Sequence, residues 1–261
     1  MVKGLDIFRE RFRQFEGSFT LIGGAACVEW FTAQGLSFRA TKDLDIVLMI
    51  EVIDQAFVAA MRAFVAEGKY EIRERSEGVP ILYRFAKPAQ EGFPYMVELF
   101  SRSPEGFDLS PDQEIIPVAV DPGQHSLSAI LLDDAYYGLI QTHHDLRDGV
   151  RVANATALIP LKAYAWLNLT QRKSDGETVD AKNIDKQRAD VFRLAATLPG
   201  EPGPELPSSI AEDLTTFLQA FPADSAEWTA ILASLKSTLG GGLRPETLRQ
   251  AIQTFFRLPV E

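Results

Sequence analysis

Apolar positions change their spacing along this chain, and the changes mark out its elements. The opening stretch, MVKGLDIFRERFRQF, carries charge throughout and reads as an amphipathic helix. Phe19-Thr-Leu-Ile-Gly follows as a short apolar run ending in two glycines, the pattern of a buried strand running into a tight turn. Residues 25–33 have helical character and stop at Gly35. Leu44 to Ile50 is apolar apart from Asp45 and predicts a strand buried on both faces. Apolar residues at Ile53, Phe57, Ala60, Met61, Phe64 and Val65 have helical spacing. Strand-like runs are read at 70–73, 81–85 and 95–100, with further ones around 115–120 and 129–132.

Beyond about residue 155 the pattern turns helical, at 159–170, 180–198, 210–221, 226–239 and 245–256. Pro160, Ser208-Ser209 and Pro245 supply start signals. The stretch 199–207 holds four prolines and two glycines and reads as a linker. The expectation is a mixed α/β domain over residues 1–150 followed by a helical C-terminal domain over 151–261.

Composition narrows the function classes. The 261 residues are 46% hydrophobic and 24% charged, the balance of a soluble globular protein with room for two domains. One cysteine, Cys27, excludes an intrachain disulfide framework or a cysteine-based zinc site, and it reads as a small core residue. No apolar run approaches the roughly 20 residues of a bilayer-spanning helix, and the charged N-terminus is unlike a signal peptide. A cytoplasmic protein without membrane contact is expected. The net charge of −10 argues against a long nucleic-acid ligand, because such binding draws on phosphate neutralisation. A small substrate or a basic partner fits better.

Three acids stand out against this background. Asp43 and Asp45 are two apart in a strand, so their carboxylates project from one face, side by side. Like charges on a half-buried face repel and are penalised by desolvation, and a hard cation such as Mg²⁺ removes both difficulties. Glu98, in Tyr95-Met-Val-Glu-Leu-Phe, repeats the anomaly. If its strand lies beside that of Asp43 and Asp45, the three carboxylates form the minimum set for two metal ions that clamp attacking and leaving oxygens, and one acid could accept the attacking hydroxyl's proton. A purely structural reading would pair the acids with Lys42 or Arg39. Gly23-Gly24, between a strand and a helix, lets backbone N–H groups approach an anion such as a triphosphate. His143-His144-Asp145 reads as a surface loop.

The residues Leu21-Ile-Gly-Gly-Ala-Ala and Gly35-Leu-Ser-Phe-Arg-Ala-Thr-Lys-Asp-Leu-Asp-Ile-Val-Leu resemble the core of the nucleotidyltransferase (polymerase-beta-like) superfamily. Within it the chain is most similar to the AbiEii-type nucleotidyltransferases of abortive-infection and toxin–antitoxin systems. The resemblance covers residues 19–50 most specifically. It implies an enzyme that moves a nucleoside monophosphate from a nucleoside triphosphate to an acceptor hydroxyl on tRNA, a protein or a small molecule, with an antitoxin as possible partner. It implies that Asp43, Asp45 and Glu98 hold Mg²⁺, that Gly23 and Gly24 touch the phosphates, and that Arg39 and Thr41 flank them. Lys162, in an otherwise apolar helix from which its amine could also snorkel to water, matches a helix lysine of the AbiEii pattern. Lys186 and Asp190 match its last motif, although residues four apart on a helix could equally form an exposed ion pair.

Overall fold

The computed structural model describes residues 2–74, 80–103, 115–121 and 124–259. The chain divides into two compact units. One comprises Met1–Trp30 and Arg39–Ala153, the other Phe31–Phe38 and Asn154–Glu261.

The first unit is built on a mixed sheet. Its elements are α1 (Leu5–Phe12), β1 (Phe19–Ile22), α2 (Gly23–Ala33, whose last residues belong to the second unit), β2 (Asp43–Leu48), α3 (Gln55–Gly68), β3 (Glu71–Glu74), β4 (Pro80–Ala86), β5 (Met96–Ser101), β6 (Ile115–Asp121), β7 (Gln124–Leu131), α4 (Asp134–Thr142), β8 (His144–Arg147) and β9 (Val150–Ala153). The order across the sheet is β3-β4-β5-β2-β1-β9-β8, with β7 beside the end of β5 and β6 beside β7. β2 runs antiparallel to β1 and parallel to β5, and β5 runs antiparallel to β4.

The two faces of this sheet differ in kind. Phe19, Leu21, Leu44, Ile46, Leu48, Val97 and Leu99 share one face and are buried. Phe8 and Phe12 of α1 and Phe57 and Phe64 of α3 close over it in an aromatic cluster, with Phe8 edge-on to Phe19 at 5.3 Å and Phe12 edge-on to Phe64 at 5.7 Å. Asp54 caps α3 by accepting the Phe57 N–H at 2.8 Å. Asp43, Asp45 and Glu98 lie on the other face, so this core sits behind the acids.

Three elements of this unit depart from the sequence expectation: α4, β8 and β9. α4 begins at an Asp133 cap, whose side chain accepts the Ala135 N–H at 2.8 Å. The expected loop around His143-His144-Asp145 is instead the end of that helix and the start of β8, which pairs with β9 across Asp148-Gly149. Tertiary pairing overrides the polar sequence here: Leu146, the apolar residue of β8, is exposed at the sheet edge.

The second unit is helical: α5 (Ala155–Ser174), α6 (Ala181–Ala195), α7 (Ser208–Gln219), α8 (Trp228–Leu239) and α9 (Pro245–Phe256). α5 begins earlier than Pro160 suggests, because Asn154 accepts the Thr156 N–H at 3.1 Å and caps it. Pro160 therefore sits inside the helix. Trp166, Phe192, Phe217, Phe221 and Trp228 pack edge-on or tilted against one another, and the buried Arg249 donates to the carbonyls of Leu218 and Phe221. Residues 199–207 carry no helix or strand. Among the described residues no helix is long and apolar enough to cross a membrane.

Candidate active site

The site begins with the turn from β1 into α2. Ile22 is the register partner of Asp45, so the next residue, Gly23, comes up against the Asp45 side chain. Gly23 has φ +67°, and a Cβ added there would fall 2.0 Å from Asp45 Oδ2. Both the backbone angle and the space require glycine. Gly24, in the first turn of α2, faces a second pair of side chains. A Cβ on it would lie 3.0 Å from Thr41 Oγ1 and 3.6 Å from an Arg39 guanidinium nitrogen. The segment leading into β2 thus lays Thr41 and Arg39 against the N-terminus of α2, where N–H groups and the helix dipole favour negative charge.

The acids come next. Asp45 and Glu98 are register partners on the parallel strands β2 and β5, and Asp43 is two residues before Asp45 on the same face. Asp43, Asp45 and Glu98 are each half-buried. The ammonium of Lys42 lies 3.7 Å from the centroid of the Tyr95 ring. Glu98 has a cationic partner. Arg84 stands directly opposite it on β4 and donates from Nε to Glu98 Oε1. Among the described residues no group of three or more His, Cys, Asp or Glu side chains is gathered closely enough to hold a metal ion. The three carboxylates share one face and adjoining positions, and Glu98 is held by Arg84.

Two features of the aspartates fit a hard cation. Asp43 Oδ1 is buried without a hydrogen-bond partner, an arrangement that costs free energy unless a positive group meets it. The Asp45 carboxylate fills the space that a side chain at position 23 would take, which brings it to the mouth of the glycine turn. Oxygen donors of this kind, beside a glycine turn at a helix N-terminus, are what Mg²⁺ takes from a protein. Replacing Gly23 by Ala is therefore expected to destabilise the protein by about 2 kcal/mol through the positive φ alone, and to displace Asp45 as well. A chemical denaturation curve alongside a divalent-cation titration checks this. Unchanged stability together with unchanged cation affinity would contradict it.

The residues expected from the helical part occupy a different setting. Lys162 is buried and does not snorkel; its ammonium lies 3.6 Å from Asp190 Oδ2. Asp190 is fully buried and accepts a second contact from Arg193 at 2.5 Å. Arg193 in turn donates to the Ser234 carbonyl at 2.9 Å and covers the Phe38 ring. Asp190 thus lies in a buried network with Lys162 and Arg193 and not on an exposed surface, and Lys186 is half-buried one turn before it. Cys27 is fully buried, as expected of a core residue.

Sequence reading missed both arginines. Each breaks an apolar run, Arg84 in Ile81-Leu-Tyr-Arg-Phe and Arg193 in Val191-Phe-Arg-Leu. Each is the counter-charge of an acid that the sequence does single out.

Beyond the site, at the far end of β2, Glu51 accepts from the Tyr137 hydroxyl at 2.6 Å and from Arg102 at 3.0 Å. Burial pushes the Glu51 carboxyl up, but the Tyr137, backbone and Arg102 hydrogen bonds outweigh it and hold the group below its usual range. Burial likewise raises the Tyr137 hydroxyl, reinforced by its bond to Glu51. The cluster ties α4 to the ends of β2 and β5.

No protein-family model matches the chain, and no curated protein or solved structure matches it either.

Proposed function

We propose that the chain is a metal-dependent nucleotidyltransferase, with its mixed sheet a core of the nucleotidyltransferase (polymerase-beta-like) type. The observation that carries this reading is the Asp43–Asp45 pair with one buried, unpartnered carboxylate oxygen, set against a glycine turn at a helix N-terminus. The order of parts supports it too: a strand, a Gly-Gly turn into a helix, an antiparallel strand bearing two aspartates, and a parallel neighbour bearing a glutamate opposite the second of them.

In the proposed reaction an acceptor oxygen forms a bond to the α-phosphorus of a nucleoside triphosphate, the bond between the α- and β-phosphates breaks, and pyrophosphate leaves. Asp43 and Asp45 would hold Mg²⁺, with Glu98 as a third ligand. The cation, when bound, supplies the positive charge that polarises the α-phosphate and offsets charge on the leaving group. The chain's own groups bind and orient the rest. N–H groups in the first turn of α2, with Arg39 and Thr41 beside Gly24, receive the phosphate oxygens. A carboxylate of the acidic face takes the proton of the attacking hydroxyl.

The net charge of −10 favours a small acceptor, such as an aminoglycoside, over tRNA. A tRNA or protein acceptor, with an antitoxin as partner, rests on the AbiEii-type resemblance. A non-catalytic nucleotide-binding role is disfavoured by the pairing of both aspartates with an open glycine turn. Incubation with α-labelled nucleoside triphosphates, Mg²⁺ and cell extract tests the proposal. The expected result is divalent-dependent transfer of label, with the size of the labelled product reporting the acceptor class. Nucleotide binding with no transfer to any fraction would overturn it in favour of a binding role.

A further inference from the structure

α2 ends in a reversal. Gly35 takes a left-handed φ of +70°, its N–H donates to the Thr32 carbonyl at 3.0 Å, and the Leu36 N–H donates to the Phe31 carbonyl at 2.9 Å, the paired bonds that close a helix and turn the chain back. Residues 36–42 then run without helix or strand, and by residue 41 the chain is back at the first turn of α2, where Thr41 and Arg39 face Gly24. The 11 residues of α2 measure about 16 Å along the axis at 1.5 Å per residue. The six residues from Leu36 to Thr41 reach about 20 Å when fully extended. A return run of that length has little slack, so whatever fixes its middle fixes where Arg39 and Thr41 fall.

Phe38 is that fixed point. Its ring packs against Phe31 at 5.0 Å, and Phe31 is fully buried. The Arg193 guanidinium lies over the same ring, 5.3 Å from its centroid. Arg193 is itself held, by Asp190 at 2.5 Å and the Ser234 carbonyl at 2.9 Å, with 5% of its side chain exposed. Phe31, Phe38 and Arg193 all belong to the helical unit, while Arg39, the residue bonded to Phe38, belongs to the first unit.

We infer that Phe38, held by Arg193, is a positioning residue for the phosphate-binding turn. This rests on the reading of Gly24, Arg39 and Thr41 as that turn. The ring pins the run one residue before Arg39 and three before Thr41, so both side chains are set in place before a ligand arrives. An arginine already in place gives up less freedom on meeting a phosphate than one on a free loop, and so binds it more tightly. The strand of Asp43 and Asp45 does not depend on this pin, because β2 is fixed by its pairing with β1 and β5. Removing the pin therefore weakens phosphate binding and spares cation binding.

Isothermal titration of the full-length protein with inorganic triphosphate in Mg²⁺ buffer, beside a titration with Mn²⁺ alone followed by electron paramagnetic resonance of the free ion, separates the two. Phe38→Leu, which keeps apolar bulk and loses the ring face, is expected to weaken triphosphate binding about tenfold, the size of a partly buried cation–π contact, with Mn²⁺ binding unchanged. Phe38→Tyr keeps the ring and binds like the wild type. Arg193→Lys leaves a cation for Asp190 but removes the flat guanidinium, and weakens triphosphate binding in the same direction; it carries the test if Phe38→Leu does not fold. Unchanged triphosphate binding in the folded variant would overturn the inference. So would an equal loss of Mn²⁺ binding, which reports a general loosening of the fold. In an Arg39→Gln background Phe38→Leu adds less than its full effect, and a full further loss would also overturn the inference. If Arg39→Gln leaves triphosphate binding intact, the reading of the turn fails and the inference with it; if Arg39→Gln weakens binding while Phe38→Leu does nothing, the inference alone is lost. A wild type that binds neither triphosphate nor Mn²⁺ defeats the proposed function and the inference together.

Discussion

Replacing Asp43 or Asp45 by Asn is expected to reduce nucleotidyl transfer on the order of 10³-fold or more, the size seen when a charge-stabilising group is removed from a preorganised site. Stability should move the other way for Asp43. Its Oδ1 is buried without a hydrogen-bond partner. Neutralising the carboxylate removes about 1 kcal/mol of the cost of keeping that oxygen out of water. In a chain of this size that raises the melting temperature by about 2–4 °C. Gain of stability with loss of activity is the signature of a residue kept for function. Differential scanning calorimetry and the label-transfer assay on the same preparation report both. A destabilised Asp43→Asn would assign the pair to the architecture instead.

The largest effect on folding is expected at Asp190. Its carboxylate is the counter-ion of both Lys162 and Arg193, and all three side chains are buried in the helical unit. Asp190→Ala leaves two buried cations facing each other without an anion, and breaking a buried pair in this way costs about 3–5 kcal/mol. Against a total stability of about 5–15 kcal/mol, that is a large fraction of what keeps the chain folded. Lys162→Met should cost far less, because Arg193 still satisfies Asp190 and the methionine fills the lysine's aliphatic path. Urea denaturation followed by far-ultraviolet circular dichroism distinguishes the two variants. If Asp190→Ala melts like the wild type and loses only transfer, Asp190 belongs to the chemistry, as the AbiEii-type resemblance implies, and not to the helical core.

Much of the fold, and the placing of the candidate acids on one face, is legible in the chain because the signals are local. The apolar run interrupted by Asp45 gives β2, the glycines after Ile22 give the turn into α2, and Pro245 marks the first residue of α9. The i, i+2 spacing alone is enough to place Asp43 and Asp45 on one face of a strand. What escapes is non-local or weakly patterned. β8 and β9 are four residues each, and β8, at the sheet edge, carries one apolar residue; its pairing with β9 makes it a strand. Residues 31–38 group with the helical unit, a division that composition does not mark. Arg84 becomes the partner of Glu98 only through the register of β4 on β5. A signal for it does exist: a lone charge in an apolar run needs a counter-charge whichever sign it carries, and Arg84 and Arg193 meet that condition as fully as Glu98 does.

Whether Asp43, Asp45 and the Gly23-Gly24 turn together hold a cation and a nucleotide is decided by a crystal structure of the protein with Mn²⁺ and a non-hydrolysable nucleoside triphosphate, recorded at the manganese absorption edge. The expected result is an anomalous peak within bonding distance of the Asp43 and Asp45 carboxylates, with phosphate oxygens at the first turn of α2 beside Arg39 and Thr41. A crystal in which the metal and the triphosphate bind away from those two aspartates, or in which neither binds, would contradict it.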